Sequence, residues 1–164
     1  MPLDNKNEIF VVVDENDKIV GYRTRYECHR KNLIHRAIGV VVFNEKGEIL
    51  LQKRTMSKDT SPGMYTLSAA GHVSKGETYQ EAAERELFEE IGIKTKIFFA
   101  EKFLLRMENQ TEMEVTYKAQ HNGPFKIDAS EVEEVKFFEV EEIKNILNQI
   151  SSYAIECLKR MKLI

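Results

Sequence analysis

The sequence predicts an α/β (α+β) protein, a mixed β-sheet sandwiched between helices, built as a single domain over residues 1–164. Three observations carry this. β-branched apolar runs separated by turn residues recur before residue 70 and again between residues 94 and 138. A helix with start and stop signals lies between those two sets, and helical spacing returns at about 141–161. Strands interleaved with helices bury their apolar faces by packing helices onto a sheet. No repeat, low-complexity tract or linker divides the chain, whose length supports one core without staples.

The elements follow in order. Ile9–Val13 and Lys18–Tyr22 flank Asp14-Glu15-Asn16-Asp17 and read as a hairpin over about 9–22. Residues 23–34 read as polar and irregular. Arg36–Phe43 and Glu48–Lys53 are strands joined by the turn Asn44-Glu45-Lys46-Gly47. A loop containing Pro62-Gly63 leads into a short strand, Tyr65–Ala70, that runs into Gly71. Thr78 with Glu81 fits a capping box that opens a helix, and Gly92 fits its left-handed stop. Lys94–Phe103, Met113–Gln120 and Val132–Phe138 read as strands. Glu141–Gln149 and Ser151–Met161 read as terminal helices, with Ile146, Ile150, Ala154, Ile155 and Leu158 as packing positions.

Hydrophobic residues at 42%, charged residues at 31% and a net charge of −3 describe an ordinary soluble globular chain. A dedicated duplex-binding protein would show a basic excess, so nucleic acid is not an expected partner. The first apolar run, Ile9–Val13, is too short for a signal segment or a membrane span. Cys28 and Cys157 lack disulfide-framework or zinc spacing, which fits a reducing, cytoplasmic setting. No coiled coil or apolar stripe demands an oligomer, and a homodimer stays open.

The chemistry concentrates between Glu77 and Glu90, where Glu77, Glu81, Glu84, Glu86, Glu89 and Glu90 face the lone cation Arg85. At about 100° per residue, Glu86, Glu89 and Glu90 share one helix face, beside an apolar face of Ala83, Leu87, Phe88 and Ile91. Three like charges at that spacing repel, and a hard divalent cation reverses the sign of that interaction. Arg85 lies four residues before Glu89 and can hold its carboxylate by a bidentate pair. Gly71, with no side chain, allows backbone to approach a metal or phosphate closely, and Glu77 can reach back to the same centre. The plainer alternative is a solvated acidic face.

In order, Gly71, five residues, Glu77, seven residues, Arg85-Glu86-Leu87, Phe88, Glu89-Glu90, Ile91 and Gly92-Ile93 match the Nudix box at every specified position. The chain thus resembles the Nudix hydrolase superfamily. The resemblance implies the Nudix fold, with residues 71–93 as loop–helix–loop. It also implies Mg²⁺-dependent hydrolysis of a diphosphate bond, by metal-activated water, in a small nucleoside-diphosphate-type substrate. Glu86, Glu89 and Glu90 would be the metal ligands, Glu77 and the Gly71 carbonyl would complete the shell, and Arg85 would orient the glutamates. Mn²⁺ suits carboxylate oxygens as Mg²⁺ does. In this family the general base is a box glutamate or one from a later loop.

Stretches outside the box resemble the isopentenyl diphosphate isomerase branch of that superfamily: Val13-Asp14-Glu15, His35-Arg36-Ala37, Leu51-Gln52-Lys53-Arg54, Lys58, Pro62-Gly63, Gly71-His72 and Gly76-Glu77. By this resemblance Arg54 and Lys58 would receive the diphosphate, against a plainer reading as solvated strand-end cations. True isomerases carry a proton-transferring cysteine before the Gly-His pair, where this chain has Ala70. Their metal is held by histidines and glutamates, and His29, His35, His72, Glu112 and Glu114 stand at comparable places. His72 could touch metal or phosphate, or simply bond within its loop. Glu112 and Glu114 share a strand face and read as a base, a further ligand, or the solvent side of the strand. Glu131, Glu133 and Glu134 read as solvating a strand, with a later-loop base as the alternative. Phe98, Phe99, Phe103, Phe137 and Phe138 read as core. Hydrolase is the leading expectation, isomerase the alternative, and a nucleotide-binding module without turnover the third.

Overall fold

The computed structural model describes residues 5–164. Strands β1 (Ile9–Val13) and β2 (Ile19–Thr24) form the expected antiparallel hairpin. Asp14 shapes its turn by accepting hydrogen bonds from the Asn16 and Lys18 amides. Thr24 then caps a short helix, α1 (Arg25–Arg30), where the sequence suggested irregular chain. Its sign was Thr24 followed three residues on by Glu27, whose amide bonds the Thr24 hydroxyl. Cys28 is the helix's one buried apolar side chain, so no periodicity announced it.

The central strand is β3 (Ile34–Phe43). One of its edges pairs in parallel with β8 (Gln110–Gln120), from Ile34 opposite Thr111 to Phe43 opposite Gln120. Its other edge is shared by β1, β6 (Ala69–His72) and β4 (Ile49–Arg54). Beyond β4 lie β5 (Tyr65–Thr66) and β9 (Val132–Phe138), and β7 (Ile97–Met107) pairs β8 on the far side. The result is a mixed sheet.

Helices cover both faces, as the sequence predicts. Side chains alternate along β3, so Ile38, Val40 and Val42 meet α2 (Tyr79–Ile91) through Ala82, Ala83, Leu87 and Ile91. Val41 points the other way, with Ile49, Leu51 and Leu67, onto α3 (Val140–Asn145) and α4 (Ser152–Arg160). Among the described residues no helix is long and apolar enough to cross a membrane.

Besides α1, three readings of the sequence need correction. The strand expected at 65–70 is two strands, interrupted at Leu67-Ser68. There the buried Ser68 hydroxyl donates to the Leu50 carbonyl and accepts the Val42 amide, replacing ladder hydrogen bonds. The helix expected to 149 ends at Asn145, because Ile146 leaves the helical region at φ −121° and a 3₁₀ turn, Leu147–Gln149, follows. Phe98 and Phe99 are exposed on β7 rather than core, whereas Phe103 and Phe138 are buried.

Candidate active site

Helix α2 carries the acidic face and enters with both of its expected signals. Thr78 accepts the Glu81 amide while Glu81 accepts the Thr78 amide, and Gly92 stops the helix at φ 72°. Burial of Leu87 and Ile91 against the sheet fixes the rotation that turns Glu86 and Glu90 toward β6. Gly71 on β6 meets Glu86 so closely that a Cβ there would stand 2.4 Å from the Glu86 carboxyl carbon.

Arg85 organises this face. Its Nε and Nη2 hold the two oxygens of Glu77 at 2.6 and 3.0 Å. Its Nη1 reaches Glu86 at 2.7 Å and Glu89 at 3.3 Å, and Nη2 also bonds the His72 carbonyl. The bidentate pair expected with Glu89 is thus made with Glu77. Glu77 also accepts the Ser74 amide, so its oxygens anchor Arg85 and the loop. Burial alone would raise the Glu77 carboxyl, but Arg85 and the Ser74 amide hold it below the ordinary value.

Glu90 is held from the other side, where its Oε1 accepts Gln52 Nε2 at 2.6 Å and the Ala70 amide at 3.2 Å. Glu86 and Glu90 interact electrostatically with each other. Burial pushes Glu86 up to about 7 against the pull of Arg85, with Glu89 adding to the rise. Burial pushes Glu90 well up too, and the Glu86 charge adds to it. Two partly buried carboxyls, with Glu86 set against the bare backbone of Gly71 and the half-exposed Glu89 beside them, fit a hard divalent cation.

These residues open onto a cleft of about 570 Å³. Arg54 and Lys58 line it, as do Gly71, His72 and Glu112. Arg54 donates to the Thr60 carbonyl and hydroxyl, and Lys58 pairs with Glu131 at 2.5 Å. Glu131 therefore belongs to the cleft, while Glu133 and Glu134 pair with Lys53 and Tyr65 on the sheet.

A second group adjoins the acidic face. Ring nitrogens of His29, His35 and His72 lie within 4.8 Å of one another, and His72 Nε2 is 3.5 Å from Glu112. His35 Nδ1 lies 2.9 Å from the Leu33 carbonyl, an acceptor only, so that nitrogen carries the proton. Its Nε2 lone pair is buried without a hydrogen-bond partner among the described residues. Burial, reinforced by His72, pushes His35 down to about 4, so the imidazole is neutral at pH 7. A neutral imidazole with one nitrogen fixed by a carbonyl and the other bare is the form that ligates a transition ion. Phe10 stacks on His72 and His35, holding the rings.

Glu112 and Glu114 are buried, which overturns their reading as a solvent-facing pair. Glu112 lines the cleft. Glu114 Oε1 accepts the Tyr153 hydroxyl at 2.6 Å beneath Gly39, where a Cβ would stand 2.7 Å from that hydroxyl.

Residues 33–157 match the family model of the NUDIX domain. The chain belongs to the Nudix hydrolase superfamily. An uncharacterized Nudix hydrolase of Pseudomonas aeruginosa is 33% identical over 135 residues, covering 82% of this chain and 80% of that protein. An isopentenyl-diphosphate delta-isomerase of Schizosaccharomyces pombe is 32% identical over 169 residues, covering 86% and 74%. A crystal structure from Deinococcus radiodurans superposes with a TM-score of 0.82 over 94% of this chain and 99% of its own, at 20% identity, and shows the shared fold.

Two parts of the Nudix site were missed in the sequence. Gln52, a glutamine after Ile49-Leu50-Leu51 on a buried strand, is a polar residue needing a partner, here Glu90. Arg25, nearly buried on α1, lines the cleft, pairs with Asp59 at 3.6 Å and lies over the Phe10 ring. Its signal was hidden in the segment read as irregular.

Proposed function

We infer that this Nudix protein hydrolyses a phosphoanhydride bond in a small, soluble diphosphate substrate, using Mg²⁺ held by Glu86, Glu89 and Glu90 with the Gly71 carbonyl. The observation that carries this is the partly buried Glu86–Glu90 carboxyl pair, opening onto a cleft that also presents Arg54 and Lys58. Acidic residues alone would repel a diphosphate. A bound divalent cation supplies charge neutralisation there and lowers the pKa of a water.

The chain's own residues do the positioning. Arg85 fixes Glu86 and Glu89, and Gln52 with the Ala70 amide fixes Glu90. Lys58 exchanges Glu131 for substrate oxygens, and Arg54 and Arg25 extend the cationic wall. Positioning and electrostatics of this kind supply most of the catalysis in phosphoryl transfer. Of the two strand glutamates, Glu112 lines the cleft and Glu114 is committed to Tyr153, so Glu112 is the better placed to take a proton from water.

The test is product release across nucleoside diphosphates, nucleotide sugars, dinucleotides and isopentenyl diphosphate, with and without Mg²⁺. Metal-dependent cleavage of at least one class is expected. Silence across the panel rejects the reading, and ligand binding without turnover under any divalent ion would favour the regulatory module.

One observation favours a second reading. The His29–His35–His72 cluster with Glu112 fits the metal set of the isomerase branch. Ala70 opposes it, since a methyl group cannot transfer a proton. Following the carbon skeleton of isopentenyl diphosphate decides between them, because double-bond migration without phosphate release would identify an isomerase.

A further inference from the structure

We propose that the β7 edge of the sheet joins a second copy of this chain, as an antiparallel β7–β7 pair about a two-fold axis at Phe98. The surface lies outside the cleft, and the inference does not depend on the hydrolase reading.

Strand β7 pairs with β8 along one edge, and among the described residues its other edge has no strand partner. Such an edge offers unpaired backbone donors and acceptors to any chain that can complete the ladder. Here it also offers large apolar side chains. Phe98 and Phe99, opposite Lys118 and Tyr117 and so on opposite faces, are each more than half exposed. None of Lys96, Phe98, Phe99 and Glu101 lines the cleft.

A second copy is the occupant because the edge matches itself. Phe98 and Glu101 pair with Lys118 and Thr116, which share a face of β8, while Ile97 and Phe99 pair with Ala119 and Tyr117 on the other face. The bulge between Phe99 and Glu101 causes this, since in a regular strand Glu101 would lie with Phe99. Lys96 falls on the Phe98 face, with its ammonium 5.3 Å from the Phe98 ring centroid. An antiparallel pair centred on Phe98 then sets Phe98 against its own copy, Ile97 against the partner's Phe99, and Lys96 against the partner's Glu101. The two-fold axis repeats the last two matches. Apolar meets apolar and cation meets carboxylate, the pairs that stabilise a ladder.

The register is selective. Moving the centre to Phe99 would set Phe98 against Glu101 and Ile97 against Lys102. The free edge of β2 offers no such match, since a pair about Gly21 sets Ile19 against Arg23. Lysines and bulges often blunt an edge against pairing. On β7 the bulge instead delivers a carboxylate to meet the lysine. One strand edge buries less than the roughly 1,200 Å² of a stable specific interface, so the association is weak and concentration-dependent.

Sedimentation equilibrium of the full chain, up to about 0.5 mM to capture a weak complex, should show the mass rising from one chain toward two. Phe98→Lys sets like charges against each other at an exposed position and should weaken association about tenfold or more, with an unchanged thermal midpoint. Lys96→Glu and Glu101→Lys should each weaken it, and the double charge swap should restore it, most clearly at low salt. A mass that stays at one chain, an association indifferent to Phe98→Lys, or a double swap no better than either single variant overturns the inference.

Discussion

Gly71 and Glu86 are in contact across the β6–α2 interface, with no room between them for a methyl group: a Cβ on Gly71 would stand 2.4 Å from a Glu86 carboxyl oxygen. Gly71→Ala should therefore displace the Glu86 carboxylate rather than the backbone, because the atoms met belong to a side chain. The rate should fall by about two orders of magnitude, the cost of misplacing a catalytic group by roughly an ångström. Steady-state kinetics beside a thermal melt checks this. A full rate with unchanged Mg²⁺ dependence would show that Glu86 does not need its place.

Arg85 acts through the glutamates it holds, which makes it a positioning residue. Lys keeps the charge but cannot span Glu77, Glu86, Glu89 and the His72 carbonyl from one planar fork. Arg85→Lys should lower the rate by about 10–100-fold and raise the Mg²⁺ concentration at half-maximal rate. A lower rate at an unmoved Mg²⁺ midpoint would place Arg85 on substrate instead.

Asp17 ties the β1–β2 turn to the rest of the fold. It accepts Arg36 Nε at 2.9 Å and the Tyr79 hydroxyl at 2.7 Å, and it pairs with Lys102. Burial raises its pKa, but the Lys102, Tyr79 and Arg36 bonds outweigh burial and hold it below the ordinary 3.8. A depressed folded value means the stabilisation is complete above the unfolded value and is lost as pH falls through the folded one. Asp17→Asn should cost about 1–3 kcal/mol at pH 7, and the gap to wild type should close as pH drops below about 4. Urea midpoints at pH 7, 5 and 3 measure this, and a gap that stays constant with pH would show that the Asp17 charge contributes nothing.

Ser68 stands where β5 and β6 break, with its hydroxyl bonded to Leu50 and Val42 in the core. Ser68→Ala leaves a buried carbonyl and amide unpaired and should lower stability by about 1–3 kcal/mol. Chemical denaturation gives the number, and a change near zero would mean the backbone re-pairs across the break.

The helix that bears the acidic face was legible to its caps, because Thr78, Glu81 and Gly92 each act locally. The glutamate face was legible from spacing. The partners of those glutamates were harder to read. Gln52 and Ala70 reach Glu90 only because β4 and β6 flank the same helix, and Arg85 chooses Glu77 over Glu89 because the loop folds back. The histidines fall on α1, β3 and β6, and their meeting depends on strand register that no local pattern encodes. Phe98 and Phe99 misled because apolar residues on β7, which pairs with β8 along one edge, need not be buried.

The central claim is that Glu86, Glu89 and Glu90 hold the divalent cation on which hydrolysis depends. Its most direct test is diphosphate hydrolysis as a function of Mg²⁺ for wild type, Glu89→Gln and Glu90→Gln, with the folding stability of each metal-free protein. Both variants should lose about two orders of magnitude in rate or more, since the cation supplies several kcal/mol. Their metal-free stability should hold or rise as one like-charge repulsion disappears. Near-normal, Mg²⁺-dependent turnover in both variants would contradict the claim and move the cation to another part of the cleft.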